Sequence, residues 1–179
     1  MRSIVYVLLL GAGLLTLALV VRSGIFARNL DSDEPINSSM RLAMAQEAPQ
    51  MTTDEADLIR QKFPTAYRMP SGLMYINTAP GTGPAKPQIG DTVTATYEAR
   101  LLDGTPVDSS TRHPGPFSFK VGVGKAPIKG LDEAFLGMKK GARRRLIIPY
   151  WLAYGDAGLP PTVPARATVV YDVELVDFH

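Results

Sequence analysis

Strict alternation of apolar and polar residues in the C-terminal part of the chain constrains the fold more than any other feature. Between Val93 and Leu101, apolar side chains occupy every second position. The same period recurs over 168–178. Successive side chains of a β-strand point to opposite faces, so this pattern is typical of strands that are buried on one face only. Such strands occur in antiparallel sheets, and the two segments predict one.

Further segments add strands and one helix to this sheet. A turn at Asp103-Gly104 leads into a second strand, and the runs 117–121 and 143–148 are also β-prone. Between them lies one helical face, with apolar residues at helical spacing: Ile128, Leu131, Phe135 and Met138. The prediction is an α+β domain in which an antiparallel sheet of about five strands packs against one short helix.

The N-terminus carries a signal for membrane insertion. No charged residue lies between Ile4 and Val21, and arginines flank the run on both sides. A helix of this length spans roughly 27 Å, close to the hydrocarbon thickness of a bilayer. The residues after the run form a poor cleavage site, which favours an uncleaved signal anchor at 1–22 and leaves a cleaved signal peptide as the alternative. In both cases we predict that the rest of the chain is translocated.

Residues 23–65 are predicted to form a linker with a short helix near 52–63. The linker shows little periodicity and is rich in polar and small residues. Thr52 and Glu55 fit a capping box at the start of the helix. The pattern leaves open whether this helix is a frayed spacer or docks on the folded domain, which is predicted to occupy 66–179.

Composition excludes several kinds of site. The chain has no cysteine, so disulfides, thiolate nucleophiles and cysteine zinc sites are ruled out. Its two histidines, His113 and His179, offer too little material for a histidine metal site, and nothing around His113, the only usable one, resembles a Ser-His-Asp triad. The net charge of +2 gives no reason to expect nucleic acid as a partner. We therefore expect neither a metal nor a nucleic-acid function.

Short motifs occur in a fixed order along 71–179. They include Gly81-Thr82-Gly83, Leu102-Asp103-Gly104, Asp108-Ser109-Ser110, Phe117-Ser118-Phe119, Ile128-Lys129-Gly130 and Ala153-Tyr154-Gly155. Each motif is weak alone, but the ordered set resembles the FKBP-type peptidyl-prolyl cis-trans isomerases. The resemblance implies a half-barrel sheet wrapped around the short helix, with a binding hollow between them.

The same resemblance implies a set of site residues. The catalytic residues would be Tyr97, Asp108, Phe117, Ile128 and Tyr154. The substrate-binding residues would be Val107, Pro127, Leu131, Leu159, Val163 and Tyr171. By resemblance, the Ile128 N–H and the Tyr154 hydroxyl would hold substrate carbonyls. The Tyr97 hydroxyl would orient the Asp108 carboxylate near the rotating carbonyl.

Residues of these kinds suit prolyl isomerisation. The reaction makes and breaks no covalent bond, and its barrier of roughly 18–20 kcal/mol comes from amide resonance. It needs no nucleophile, metal or cofactor. An apolar aromatic hollow would favour the twisted amide over the planar one. The expected partners are proline-containing segments of translocated proteins, together with macrolide ligands.

Two positions depart from the family pattern. The family usually has Trp where this chain has Leu131, and Phe where it has Val107. Both changes predict a larger hollow with fewer ring contacts to proline, and hence reduced activity. An alternative function is therefore a catalytically weak chaperone or peptide-binding module that uses the same hollow. The expected location is a bacterial-type inner membrane facing the periplasm, or the periplasm or exterior if the signal is cleaved.

Overall fold

The fold comes from a computed structural model, which describes residues 49–179 of the chain. The predicted membrane segment at 1–22 and most of the predicted linker lie outside the described residues. Within residues 49–179, no helix is long and apolar enough to cross a membrane. The elements of this part are α1 (Thr53–Lys62), β1 (Tyr67–Arg68), β2 (Met74–Pro80), β3 (Thr92–Leu101), β4 (Pro106–Ser109), β5 (Phe117–Lys120), α2 (Lys129–Leu136), β6 (Ala142–Ile148) and β7 (Val169–Phe178), with 3₁₀ turns at Ser110–Arg112 and Tyr150–Leu152.

The strands form one antiparallel sheet in the order β1-β2-β6-β7-β3-β4, and β5 also pairs with β3. The predicted antiparallel sheet is confirmed, but its predicted size of about five strands is wrong, because the described part has seven. The alternation did not reveal β1 and β2. β1 has two residues, both exposed, and the register of β2 on β6 shifts between Asn77 and Ala79. A strand so short or irregular has no readable period.

Strand β3 organises the sheet around the site. It pairs with β7 along its length, from Val93 to Leu101. On its other edge, the first half pairs with β5 and the second half with β4. Ala95 lies opposite Phe117 and Ala99 lies opposite Asp108. Tyr97 therefore lies between these two positions, on the same face of β3 as Ala95 and Ala99.

The main core lies between one face of the sheet and α2. The alternating residues that predicted β3 and β7 are buried there: Val93, Ala95, Tyr97, Ala99, Val169, Tyr171, Val173 and Leu175. The four residues of the predicted helical face are buried in the same cluster. Gly130 allows α2 to approach β6 closely, because a Cβ at Gly130 would clash with Cγ2 of Ile148. Helix and sheet therefore enclose one continuous apolar core.

The other face of the sheet carries α1. A second, smaller cluster joins the helix to three strands through Ile59, Met74, Ile147 and Val170. The N–H of Glu55 donates to Oγ1 of Thr52 at 3.3 Å, which caps the start of the helix. Near its end, Nζ of Lys62 donates to the carbonyl of Leu102 at 2.6 Å. The sequence left open whether this helix is a frayed spacer or docks on the domain. In the structure it docks on the sheet.

Candidate functional site

The site is built around a hydrogen bond between β3 and β4. The hydroxyl of Tyr97 donates to Oδ2 of Asp108 at 2.7 Å. Sheet pairing explains the contact, because Asp108 lies opposite Ala99, two residues along the same face from Tyr97. The two residues that the sequence predicted to act together are thus in direct contact.

The Asp108 carboxylate has two further partners. Its Oδ1 accepts from the backbone N–H of Ser109 at 2.8 Å. Nε2 of His113 lies 3.0 Å from both carboxylate oxygens. Burial opposes ionisation of the carboxyl, but the hydrogen bonds from Tyr97, His113 and Ser109 outweigh burial and hold the pKa of Asp108 below its ordinary value. The carboxylate is thus ionised and held from several sides.

Aromatic rings surround this hydrogen bond. The Tyr97 ring lies 4.6 Å from the Phe117 ring in an edge-on arrangement, and 5.6 Å from the Tyr171 ring. The hydroxyls of Tyr154 and Tyr171 are 2.9 Å apart and share a hydrogen bond. Edge-on and tilted ring pairs are favourable in apolar surroundings. Four of the predicted site residues therefore form one aromatic group beside Asp108.

The buried tyrosines of this group keep their protons. Burial, together with the hydrogen bond to Asp108, raises the pKa of Tyr97 well above its ordinary value. Burial and the hydrogen bond to Tyr154 likewise raise the pKa of Tyr171. A phenolate in such surroundings would lose hydration that the site does not replace. Both side chains are therefore neutral hydroxyls throughout the physiological pH range.

Ile128 presents a backbone N–H at the start of α2. It is the N-cap residue, and its side chain is buried in the core. Within the described residues, no group accepts a hydrogen bond from this N–H, which is the usual state of a helix N-terminus. The loop before it is held by Asp132, whose two carboxylate oxygens accept from the N–H of Gly122 at 2.6 Å and of Gly124 at 3.1 Å. The helix start thus offers a positioned donor.

The predicted apolar lining is mostly, but not wholly, brought together. Val107, Leu131 and Val163 are buried in the same cluster as Tyr97 and Tyr171, and the partly buried Phe117 and Tyr154 pack against it. Pro127 and Leu159 are exposed, and Leu159 has 50% of its surface accessible. Leu159 is tied to Val163 by two backbone hydrogen bonds of 2.9 and 2.8 Å. Pro127 and Leu159 therefore lie outside the buried cluster, whereas Val163 belongs to it.

Sequence reasoning missed two residues of this neighbourhood. It gave no role to His113, which contacts the Asp108 carboxylate, or to Asp132, which holds the loop before Ile128. A histidine five positions after Asp108 was visible, but its contact depends on the 3₁₀ turn between them. An aspartate in the first turn of a helix is expected to interact with the N–H groups of that helix. Asp132 instead accepts hydrogen bonds from the loop that precedes the helix.

Comparison with known proteins gives consistent matches. The model of a family described as FKBP-type peptidyl-prolyl cis-trans isomerase matches residues 83–176. FK506-binding protein 1A of Emericella nidulans is 43% identical over 108 residues, which are 60% of this chain and 99% of that protein. FK506-binding protein 4 of Dictyostelium discoideum is 43% identical over 124 residues, which are 68% of this chain and 33% of that protein. The chain thus spans only a third of the second relative.

A solved structure shares the fold. The crystal structure of AtFKBP13 matches with a TM-score of 0.59 and 33% sequence identity. The match covers 64% of this chain and 98% of that one. Sheet, helix and matched sequence therefore coincide in one region of the chain.

Proposed function

The chain belongs to the FKBP-type peptidyl-prolyl cis-trans isomerase family, and from this premise we propose that it accelerates cis–trans isomerisation of Xaa-Pro bonds in polypeptides. The observation that carries the proposal is the aromatic group that surrounds the Tyr97–Asp108 hydrogen bond. Only 32% of the Asp108 side chain is exposed, so the carboxylate loses part of its hydration beside the aromatic rings and depends on its hydrogen bonds there; packing alone gives no reason for a charged group in this place.

The arrangement suits a reaction that proceeds by rotation alone. The barrier of roughly 18–20 kcal/mol reflects amide resonance, which is lost when the bond twists. In an apolar surrounding, the planar amide loses hydration that its larger dipole needs, and the twisted amide loses less. Phe117, Tyr171 and Val107 supply such a surrounding for the proline ring. The site thereby favours the transition state over the ground state.

Three polar groups would orient the substrate. The Ile128 N–H would hold the carbonyl of the prolyl residue, because it is a donor with no acceptor of its own in the described part of the chain. The Tyr154 hydroxyl would donate to a second substrate carbonyl in place of its present hydrogen bond with Tyr171. The Asp108 carboxylate, kept ionised by its partners, would lie near the rotating carbonyl and interact electrostatically with its partly positive carbon.

An absorbance assay on a proline peptide tests this activity. The full chain in mild detergent is added to a chromogenic Ala-Pro peptide enriched in the cis form, and the return to equilibrium is followed. We expect a rate proportional to enzyme concentration. A double variant with Tyr154→Phe and Phe117→Ala should lose most of it, while Tyr67→Phe, at an exposed tyrosine, should not. A rate equal to the uncatalysed one would end this proposal.

Peptide binding with little catalysis is the second candidate. Val107 and Leu131 are buried and smaller than the aromatic residues that the family pattern has at these positions, so fewer ring contacts to proline are available. The same aromatic group would then hold proline-containing segments without strongly favouring the twisted bond. This function predicts tight peptide binding and suppression of client aggregation in the wild type, both weakened in the double variant. Relatives named FK506-binding proteins support a macrolide as a competing ligand.

The location outside the cytoplasm is part of the proposal. It rests on the uncharged run from Ile4 to Val21 at the start of the sequence. We propose that this run delivers the domain across the membrane and remains as an anchor, so that the clients are translocated proteins. Fractionation of cells that express the full chain provides the test. The chain should sediment with membranes and be degraded by protease added from the outer side; recovery in the soluble cytoplasmic fraction would refute it.

A further inference from the structure

We propose that His113 is a positioning residue for Asp108, and that its protonation increases the isomerase activity as pH falls from 8.5 to 5.5. The inference rests on the proposed function and extends it, since it makes the activity of this site dependent on pH. It is carried by the bridging contact between the His113 imidazole and the carboxylate.

The His113 imidazole contacts both oxygens of the carboxylate from an exposed turn. Nε2 of His113 lies 3.0 Å from Oδ1 and 3.0 Å from Oδ2 of Asp108, so one nitrogen faces both oxygens. The His113 side chain has 58% of its surface accessible, against 32% for Asp108. The imidazole is thus open to solvent on one side and contacts on the other a carboxylate that also accepts from Tyr97.

The other titratable groups around Asp108 do not change charge near neutral pH. Tyr97 lies on β3 and Tyr171 on β7, and burial raises the pKa of both hydroxyls above the ordinary value. Tyr154 reaches the group through Tyr171. On the turn that precedes His113, Arg112 is a permanent cation whose side chain makes no hydrogen bond or ion pair within the described residues. Histidine side chains as a class titrate between pH 5 and 8.

Protonation changes what His113 does to the carboxylate. An imidazolium makes a charge-assisted hydrogen bond, which is roughly twice as strong as a neutral one. It also reduces the net charge of the pair from −1 to zero, which lowers the cost of bringing an apolar proline ring beside it. A firmly held carboxylate stays in the orientation that the rotating carbonyl requires. We expect kcat/KM to rise about fivefold between the two plateaus.

The test is a pH profile of the full chain. The rate of cis–trans exchange is measured from pH 5.5 to 8.5 on an Ala-Pro peptide without ionisable side chains, by a method that needs no coupling protease. The wild type should give a single step with the higher plateau at low pH. His113→Gln should give the low plateau at every pH, because its amide is a neutral donor. His113→Arg should give the high plateau at every pH, because a guanidinium stays charged.

Arg112→Gln is the matched control, since it removes a neighbouring cation that does not touch Asp108. It should keep the step of the wild type. A flat profile in an active wild type, or a step that survives in His113→Gln, would overturn the inference and leave the isomerase proposal standing. Absence of catalysis at every pH would instead refute the isomerase proposal, and this inference with it.

Discussion

At the scale of single residues, the site depends on how one carboxylate is held. Tyr97 approaches Asp108 from the sheet, Ser109 donates from the backbone, and His113 covers the outer side. Each contact favours the ionised form, and together they outweigh the cost of burial. Removing one partner should therefore loosen the carboxylate without releasing it.

Replacing Tyr97 by Phe tests the innermost contact. The ring and its packing remain, while the hydrogen bond to Asp108 is lost. We expect the free energy of unfolding to fall by about 1–2 kcal/mol and kcat/KM to fall about tenfold, because the carboxylate loses its orientation. Urea unfolding and the exchange assay measure the two quantities. Tyr67→Phe, at an exposed tyrosine, is the control and should change neither. Unchanged activity in Tyr97→Phe would contradict the role given to this hydroxyl.

Because Tyr171 is buried with its hydroxyl protonated, we expect the protein to lose stability at alkaline pH. Burial raises the pKa of its hydroxyl in the folded state above the ordinary value of 10.0. The folded state therefore binds this proton more tightly than the unfolded state does. The resulting stabilisation is complete below pH 10 and is lost as pH rises above it. The free energy of unfolding in urea should fall less between pH 8 and pH 11 in Tyr171→Phe than in the wild type. An equal decline in both would count against this assignment.

Sequence reasoning found both partners of the Tyr97–Asp108 hydrogen bond but not all the residues around it. Tyr97 and Asp108 stand in recognisable motifs on adjacent strands, so both could be named in advance. His113 reaches the carboxylate only because the 3₁₀ turn at Ser110–Arg112 directs it back. Leu159 was expected in the lining and is half exposed, because it lies in a tight turn with Val163. Loop geometry of this kind has no period in the sequence.

At the scale of elements, α2 and the loop before it determine where the Ile128 N–H points. Asp132 in the first turn of α2 accepts two hydrogen bonds from backbone N–H groups of that loop. A carboxylate serves both donors at once, since it has two acceptor oxygens. The helix thereby holds the chain that leads into its own N-terminus.

Replacing Asp132 by Asn should loosen this loop. The amide keeps one acceptor oxygen, so either Gly122 or Gly124 loses its partner. We expect faster hydrogen exchange at one or both of the glycine amides and a kcat/KM lower by about threefold to tenfold, with a stability loss of about 1 kcal/mol. Asp54→Asn, on the exposed surface of α1, is the control. Unchanged exchange at both glycine amides would show that the carboxylate does not hold the loop in solution.

Helix α1 offers a second test at this scale. Ile59 is buried against β2, β6 and β7, whereas its neighbour Leu58 is 37% exposed. Ile59→Ala should lower the free energy of unfolding by about 2 kcal/mol or more. Leu58→Ala, on the same turn of the helix, should cost about 0.5 kcal/mol. Urea unfolding of the two variants compares them directly, and equal losses would mean that α1 does not dock in solution.

At the scale of the whole molecule, the described part is one antiparallel sheet with a helix on each face. The alternation in β3 and β7 was sufficient to predict the sheet and its buried face. It was insufficient for β1 and β2, whose short length and register shift leave no pattern. The docking of α1 could not be predicted either, because a single buried isoleucine is too weak a signal in a polar helix.

The central claim is that this chain lowers the barrier to rotation about an Xaa-Pro bond. Exchange NMR on an Ala-Pro peptide, with the full chain present at a small fraction of the peptide concentration, tests it most directly. Uncatalysed interconversion takes tens to hundreds of seconds, so no cross peaks between cis and trans resonances arise within a mixing time of about one second. We expect clear cross peaks with the wild type and strongly reduced ones with Asp108→Ala. Cross peaks no stronger than those of the peptide alone would contradict the account.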